Sequence, residues 1–370
     1  MGVKLLLIAA VALLSFSNGA NDNFKGVATL WGAGLTSYQR ALAWATTFTF
    51  LGSLVAIWLG KGLAAKFSGA SLVAREIYTQ PAFLAAVALA AAGTVLVASR
   101  LGLPISTTHA LTGALVGAGV TAAGFAQVRF AALGTGVVLP LLFSPLVSLL
   151  GTLAVYPLVR KLPGSRDCIC VDEPQVVALA AAAAASSGAQ VSLARAIAAP
   201  PMVRVAPVSE CNTGNEAVRL SITDSLHWLS GAAISFARGL NDTPKIAAVL
   251  LVAAASAVTL DYGMVALAIA LGGALGAARV AQTMSKKITP MATEQAVTAN
   301  LVAASLVTLA SRFALPVSTT HVTLGGLFGI GLLQRSGADW KKVRDIVLSW
   351  VATLPLGAAL AVVFYRLLMR

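Results

Sequence analysis

Long apolar runs, each closed by a short polar or glycine-containing break, recur along this chain at lengths that suit membrane helices. The stretches 41–60, 81–99, 263–281 and 346–368 hold close to twenty mostly apolar residues each, enough for a helix to cross the hydrocarbon of a bilayer. None keeps the strand-period alternation of a membrane β-barrel. Residues 3–37 read as a first span interrupted at Asn18–Lys25. A break at 101–108 and a helix over 109–125 come later, and 130–158 is a long span in which Pro140 and Pro145 predict kinks. The second half repeats the plan: 221–258 interrupted at Arg238–Lys245, then 263–281, 295–312, a break, 321–334 and 345–368. The predicted fold is an all-α polytopic membrane protein with three parts. These are a first transmembrane repeat (1–159), a polar inter-repeat loop (160–220) and a second transmembrane repeat (221–370). Within the loop, the alanine-rich segment Val176–Ala185 is too short and too polar at its flanks to span.

The halves also share motifs. Asn18-Gly19-Ala20-Asn21-Asp22-Asn23-Phe24-Lys25 returns 220 positions later as Arg238-Gly239-Leu240-Asn241-Asp242-Thr243-Pro244-Lys245, and Ala98–His109 returns 212 positions later as Ala310–His321. Two motifs in the same order, with an offset that drifts by eight residues, indicate a duplicated gene. About five crossings per half is an odd number, so the second half is expected to enter from the opposite face. That makes an inverted repeat with its broken helices near the midplane. With the motif cations set aside, the face carrying 160–220 collects twice as many Lys and Arg as the other face. The positive-inside rule then places the central loop in the cytoplasm and both termini outside the cell (inner) membrane. The first twenty residues imitate a secretory signal, with Lys4, an apolar Leu5–Leu14 and a Ser-Asn-Gly-Ala end. The same Gly-x-Asn-Asp element recurs at Gly239, where no signal peptide lies, which favours an uncleaved span.

Composition agrees with the pattern: 58% hydrophobic residues, 11% charged residues and a mean hydropathy of +0.86 exclude an ordinary soluble domain. A net charge of +13 would suit nucleic acid if it lay on one face. The basic residues are scattered over loop positions instead, so no nucleic-acid partner is expected. Cys168, Cys170 and Cys211 all fall in the central loop and are odd in number, which argues against a disulfide framework. Cys168-Ile169-Cys170 lacks the further ligands a metal site needs, so neither a structural metal nor a cofactor is predicted.

The chemistry rests on the repeated motifs. An ionised Asp at bilayer depth costs at least a few kcal/mol, so Asp22 and Asp242 are assigned to a cavity. The plainer alternative is an ion pair with the lysine three residues on. Gly and Asn beside both aspartates suggest an unwound backbone whose carbonyls, with Asn21, Asp22, Asn241 and Asp242, offer hard oxygen ligands to a cation. Pro-x-Ser-Thr-Thr-His reads as a loop entering a helix. Its N–H groups and hydroxyls, from Ser106, Thr107 and Thr108 and from Ser318, Thr319 and Thr320, suit an oxyanion unless they only cap buried helices. His109 and His321 either relay protons or bond neighbouring carbonyls, and His227 has no repeat partner and reads as structural. An intramembrane hydrolase would want one nucleophile in an asymmetric setting, whereas every component here is duplicated. A passive anion channel has no need for paired carboxylates.

These motifs resemble the inorganic phosphate transporter family of secondary carriers, whose signature is a G-A-N-D element early in each half and a P-[IV]-S-T-T-H element later. The resemblance spans the chain apart from the central loop. It implies a homodimeric symporter of inorganic phosphate coupled to Na+ or H+. Asn21, Asp22, Asn241 and Asp242 would lie at cation and phosphate sites, the Ser-Thr-Thr segments at phosphate, and Glu294 would match a further family glutamate. The sequence departs from the family at Lys25, present beside Lys245 in place of the usual D-V-A-N-A continuation. Two intramembrane lysines add positive charge for an anion and put Na+ stoichiometry in question. Sulfate is the alternative substrate, since some relatives are assigned to it.

Overall fold

A computed structural model describes residues 2–161, 167–172, 176–177, 197–198, 203–207, 216–253, 257–286, 292–333 and 339–370. The chain forms two compact units, one of Met1–Val159 with His227–Arg370 and one of Arg160–Leu226.

The described residues of the larger unit are helical. In order they form α1 (Gly2–Asp22), a 3-10 turn (Lys25–Val27), α2 (Ala28–Gly32), α3 (Tyr38–Leu59), α4 (Lys61–Lys66), α5 (Arg75–Tyr78), α6 (Pro81–Arg100) and α7 (Thr107–Ala123). Then come α8 (Phe130–Leu133) and α9 (Leu139–Val159), joined by a π-turn at Gly134–Val138, which sits just before Pro140, where a missing N–H disturbs helical bonding. The second half contributes α10 (Ile222–Val252), α11 (Val258–Gly276), α12 (Ala278–Lys286), α13 (Thr293–Arg312), α14 (Thr319–Leu333) and α15 (Trp340–Leu368). Among the described residues, six helices are long and apolar enough to cross a membrane: Gly2–Gly32, Tyr38–Leu59, Pro81–Arg100, Phe130–Val159, Val258–Gly276 and Trp340–Leu368. α9 shows which way they face. Its buried side chains are Leu141, Ser144, Ser148 and Thr152, whereas Leu142, Phe143, Leu146, Val147 and Leu150 point outward. Polar groups inside and a leucine-rich exterior suit a lipid solvent.

Glycines set the helix crossings, and they do so twice. A Cβ on Gly19 would collide with the Ile269 carbonyl oxygen and one on Gly239 with that of Thr49. Reciprocally, a Cβ on Gly272 would meet the Phe16 carbonyl and one on Gly52 that of Phe236. α1 therefore lies against α11, and α10 lies against α3, each first helix of one half packing on the second span of the other. The expected unwinding at the second motif does not occur. α10 stays helical through Arg238–Lys245 with Pro244 inside it, while the first copy gives way to the 3-10 turn after Asp22. Gly239 serves close packing instead of unwinding.

The breaks before α7 and α14 are built alike. After α6, Leu103 N bonds the Ala98 carbonyl and Gly102 turns left-handed at φ 69; after α13, Leu315 N bonds the Ala310 carbonyl and Ala314 adopts φ 53. This is a helix C-cap that favours glycine.

The smaller unit departs from an all-α chain. It carries β1 (Asp167–Asp172), β2 (Val176–Val177), β3 (Ile197–Ala198), β4 (Val203–Pro207) and β5 (Glu216–Ser221). β4-β1-β5 pair as an antiparallel sheet, and β2 pairs with β3. Ile169 and Val171 in β1, Val203 and Val205 in β4, and Val218 and Leu220 in β5 supply a period-2 apolar pattern, too brief to register beside membrane-length runs. Cys168 and Cys170 lie in β1. Cys211 and most of the alanine-rich segment lie outside the described residues.

Candidate functional site

Both Asn-Asp motifs and both Ser-Thr-Thr helix starts meet in one buried cluster. Its wiring is crosswise. Lys25 pairs with Asp22, and its Nζ donates to Asn21 Oδ1 at 2.9 Å and the Ile105 carbonyl at 2.9 Å, both in its own half, and to Thr320 Oγ1 at 2.6 Å in the other. Lys245 mirrors it, donating to the Val317 carbonyl at 2.7 Å, to Asp242 Oδ1 at 3.5 Å and to Thr108 Oγ1, across the halves, at 2.9 Å. Thr320 in turn donates to the Ile105 carbonyl at 2.8 Å, and Thr108 to the Val317 carbonyl at 3.5 Å.

The remaining motif side chains hold this arrangement. Thr107 Oγ1 donates to Asp22 Oδ2 at 3.2 Å and Thr319 Oγ1 to Asp242 Oδ2 at 3.4 Å. Ser106 and Ser318 act as N-caps, accepting from the backbone N–H of His109 at 3.1 Å and of His321 at 3.3 Å. The capping role therefore belongs to the serines, which leaves the threonines to face the charged groups. Asn21 Nδ2 donates to Ser99 Oγ at 3.0 Å, and Ser311 Oγ lies 3.2 Å from Asn241 Oδ1.

The histidine rings meet across the halves, with His109 and His321 centroids 4.5 Å apart at 70°. His321 Nδ1 lies 3.4 Å from the Leu141 carbonyl, whereas His109 Nδ1 and His321 Nε2 are buried without partners among the described residues. His227 sits apart, 2.9 Å from Thr29 Oγ1, which also accepts from Asn300. Glu294 is not brought to the cluster. It is only half-buried in the first turn of α13, while Ser311, which touches Asn241, lies near the far end of that helix, about 25 Å away at 1.5 Å per residue.

Two residues that the motifs displayed without assigning now stand out. Asn18 Nδ2 bridges the carboxylates, 2.9 Å from Asp22 Oδ2 and 3.5 Å from Asp242 Oδ2, and also reaches Thr107 Oγ1 at 3.0 Å. Its repeat counterpart, Arg238, lies one turn before Asp242 and is 2% exposed. Arg238 Nη2 donates to Asn23 Oδ1 at 2.9 Å and Thr49 Oγ1 at 3.3 Å, while its Nε and Nη1 have no partner among the described residues. A guanidinium with unused buried N–H groups is a ready donor to an anion. By contrast, the repeated Arg100 and Arg312 are exposed. The cluster thus holds two carboxylates and three cationic side chains, with hydroxyl and amide donors between them.

A family model described as the phosphate transporter family matches residues 18–361. The inorganic phosphate transporter 2-1, chloroplastic, of Arabidopsis thaliana is 28% identical, aligned over 98% of this chain and 73% of its own. A Bacillus subtilis protein named "Probable low-affinity inorganic phosphate transporter" is 24% identical over 99% of this chain and 97% of its own. A solved structure titled the sodium-dependent phosphate transporter superposes on all of this chain and 99% of its own with a TM-score of 0.76 at 22% identity, a likeness of fold. The match across both halves shows that the chain belongs to the phosphate transporter family.

Proposed function

We propose that this protein is a cation-coupled symporter that takes up inorganic phosphate across the cell membrane, with both halves contributing to a single anion site. The observation that carries this reading is the charge balance of the buried cluster. Lys25, Arg238 and Lys245 outnumber Asp22 and Asp242 by one, and an uncompensated cation buried at membrane depth is costly. An oxyanion entering the cluster relieves that charge. Thr107 and Thr319, turning from their carboxylates, and the unused Arg238 N–H groups are its donors, and Asn21 and Asn241 brace the breaks before α7 and α14. The two carboxylates are the groups a coupling Na+ or H+ would meet, and the facing His109–His321 pair offers a proton route between the halves.

The crosswise lysine contacts and reciprocal glycine crossings support an inverted repeat, 1–159 and 221–370, and the excess of Lys and Arg on the face of 160–220 supports a cytoplasmic loop with external termini. Homodimerisation is part of the same reading. The test is uptake of radiolabelled phosphate, and separately sulfate, into proteoliposomes with Na+ and H+ gradients imposed one at a time. The expected result is phosphate accumulation above equilibrium under one gradient. Equilibration without accumulation would make the protein a passive anion channel, and accumulation of sulfate in place of phosphate would change the substrate.

A further inference from the structure

Lys25 Nζ sits in an unusual ring of partners. Asn21 Oδ1, an Asp22 carboxylate oxygen, the Ile105 carbonyl and Thr320 Oγ1 all point at it. All four are acceptors there, because Thr320 has already donated its own hydrogen to the Ile105 carbonyl. Four acceptors are twice the N–H groups of a neutral amine, whereas an ammonium covers them with three N–H groups, one of them shared, and with its charge. Carboxylate, amide, hydroxyl and carbonyl oxygens converging from two helices and a loop are also the ligand set of a hard cation. Lys245 Nζ repeats the theme with Asp242 Oδ1, the Val317 carbonyl and Thr108 Oγ1. The Phe67 ring, 5.8 Å away, adds a face that favours positive charge. A simple ion pair would need the aspartate alone. Here each ammonium also takes a carbonyl from the break in its own half and a threonine from the other, so it stands where a cation would have to stand to join the halves.

We propose that Lys25 and Lys245 are tethered cations filling two oxygen cages that would otherwise take a small monovalent cation, so that this protein binds inorganic phosphate without Na+. This rests on the symport reading, and it assigns concentrative uptake to H+. The Lys25 cage, with four oxygens against three, is the better formed.

The test has two arms on the purified full-length protein. Calorimetric titration with inorganic phosphate in choline chloride and in sodium chloride is expected to give affinities within about twofold of each other, since no site awaits Na+. Phosphate binding more than about tenfold weaker in choline overturns the proposal and leaves the phosphate reading intact. Absence of phosphate binding in both salts removes the phosphate reading, and the cages are then judged by the second arm. Thermal unfolding of the parent, Lys25→Ala, Lys245→Ala and the double variant is compared in the two salts without phosphate. Na+ is expected to leave the parent midpoint unchanged and to raise that of the variants, Lys25→Ala most. A parent already stabilised by Na+, or folded variants indifferent to it, overturns the proposal. If the variants do not fold, the parent's response decides.

Discussion

Lys25 and Thr320 lie 295 positions apart in the chain and 2.6 Å apart in the fold. Their contact joins the first Asn-Asp motif to the second Ser-Thr-Thr helix start. Its mirror joins Lys245 to Thr108. Side chains in direct contact are energetically coupled by about 0.5–3 kcal/mol. A double-mutant cycle on Lys25→Met and Thr320→Val, read as phosphate affinity, is therefore expected to be non-additive. The cycle pairing Lys25→Met with Thr121→Val is expected to add, because among the described residues the Thr121 hydroxyl bonds only its own helix, at the Gly117 carbonyl.

Neutralising one carboxylate separates folding from transport. Asp22→Asn leaves the Lys25 ammonium buried without its counter-charge, which costs about 3–5 kcal/mol. The variant is expected to lose uptake and unfold at a lower temperature. Asp22→Asn with Lys25→Met should recover the unfolding midpoint and still not transport. Recovery of uptake in the double variant would show that the pair is only structural.

Arg238 is expected to hold substrate through its unused Nε and Nη1. A hydrogen bond to a charged group contributes about 1.5–3 kcal/mol, so Arg238→Gln should weaken phosphate binding at least tenfold. Arg238→Lys, which keeps charge but loses the planar fork, should recover only part of it. Calorimetry on both variants checks the order.

Much of this cluster is legible in the sequence, because duplication writes each element twice. Asn21, Asp22, the two Ser-Thr-Thr segments and the breaks before them could be paired by offset alone. Four features could not. α10 runs on through Asn241, Asp242 and Pro244 where α1 ends at Asp22, although Gly239 and Gly19 pack alike against the Thr49 and Ile269 carbonyls, so neither the motif nor its glycine encodes the difference. Asn18 and Arg238 occupy equivalent places but differ in type, so the repeat does not mark them by residue identity. Glu294 matched by motif but lies too far along α13. The strands of the smaller unit are short segments whose pairing partners lie tens of residues away.

The same duplication predicts a stabilising change. Gly102 and Ala314 are equivalent and both left-handed, at φ 69 and φ 53. An L-residue with a side chain pays about 1–2 kcal/mol there. Ala314→Gly is expected to raise the unfolding midpoint in detergent and Gly102→Ala to lower it. The reverse order would refute a shared cap.

Glycine positions on α11 offer an internal control. A Cβ at Gly272 meets the Phe16 carbonyl, whereas at Gly263 nothing among the described residues lies within 4 Å. Gly272→Ala should sharply reduce the yield of folded protein. Gly263→Ala should be neutral or gain up to about 1 kcal/mol from helix propensity.

The central claim is that the two halves make one anion site, and its most direct measurement is the stoichiometry of phosphate binding. Calorimetric titration of the purified protein is expected to give one phosphate per protomer. Thr107→Val and Thr319→Val should each weaken that single event by about tenfold to a hundredfold, with the double variant less than additive or silent. Two phosphates per protomer, or variants that each remove half the sites and leave the affinity of the rest untouched, would contradict it.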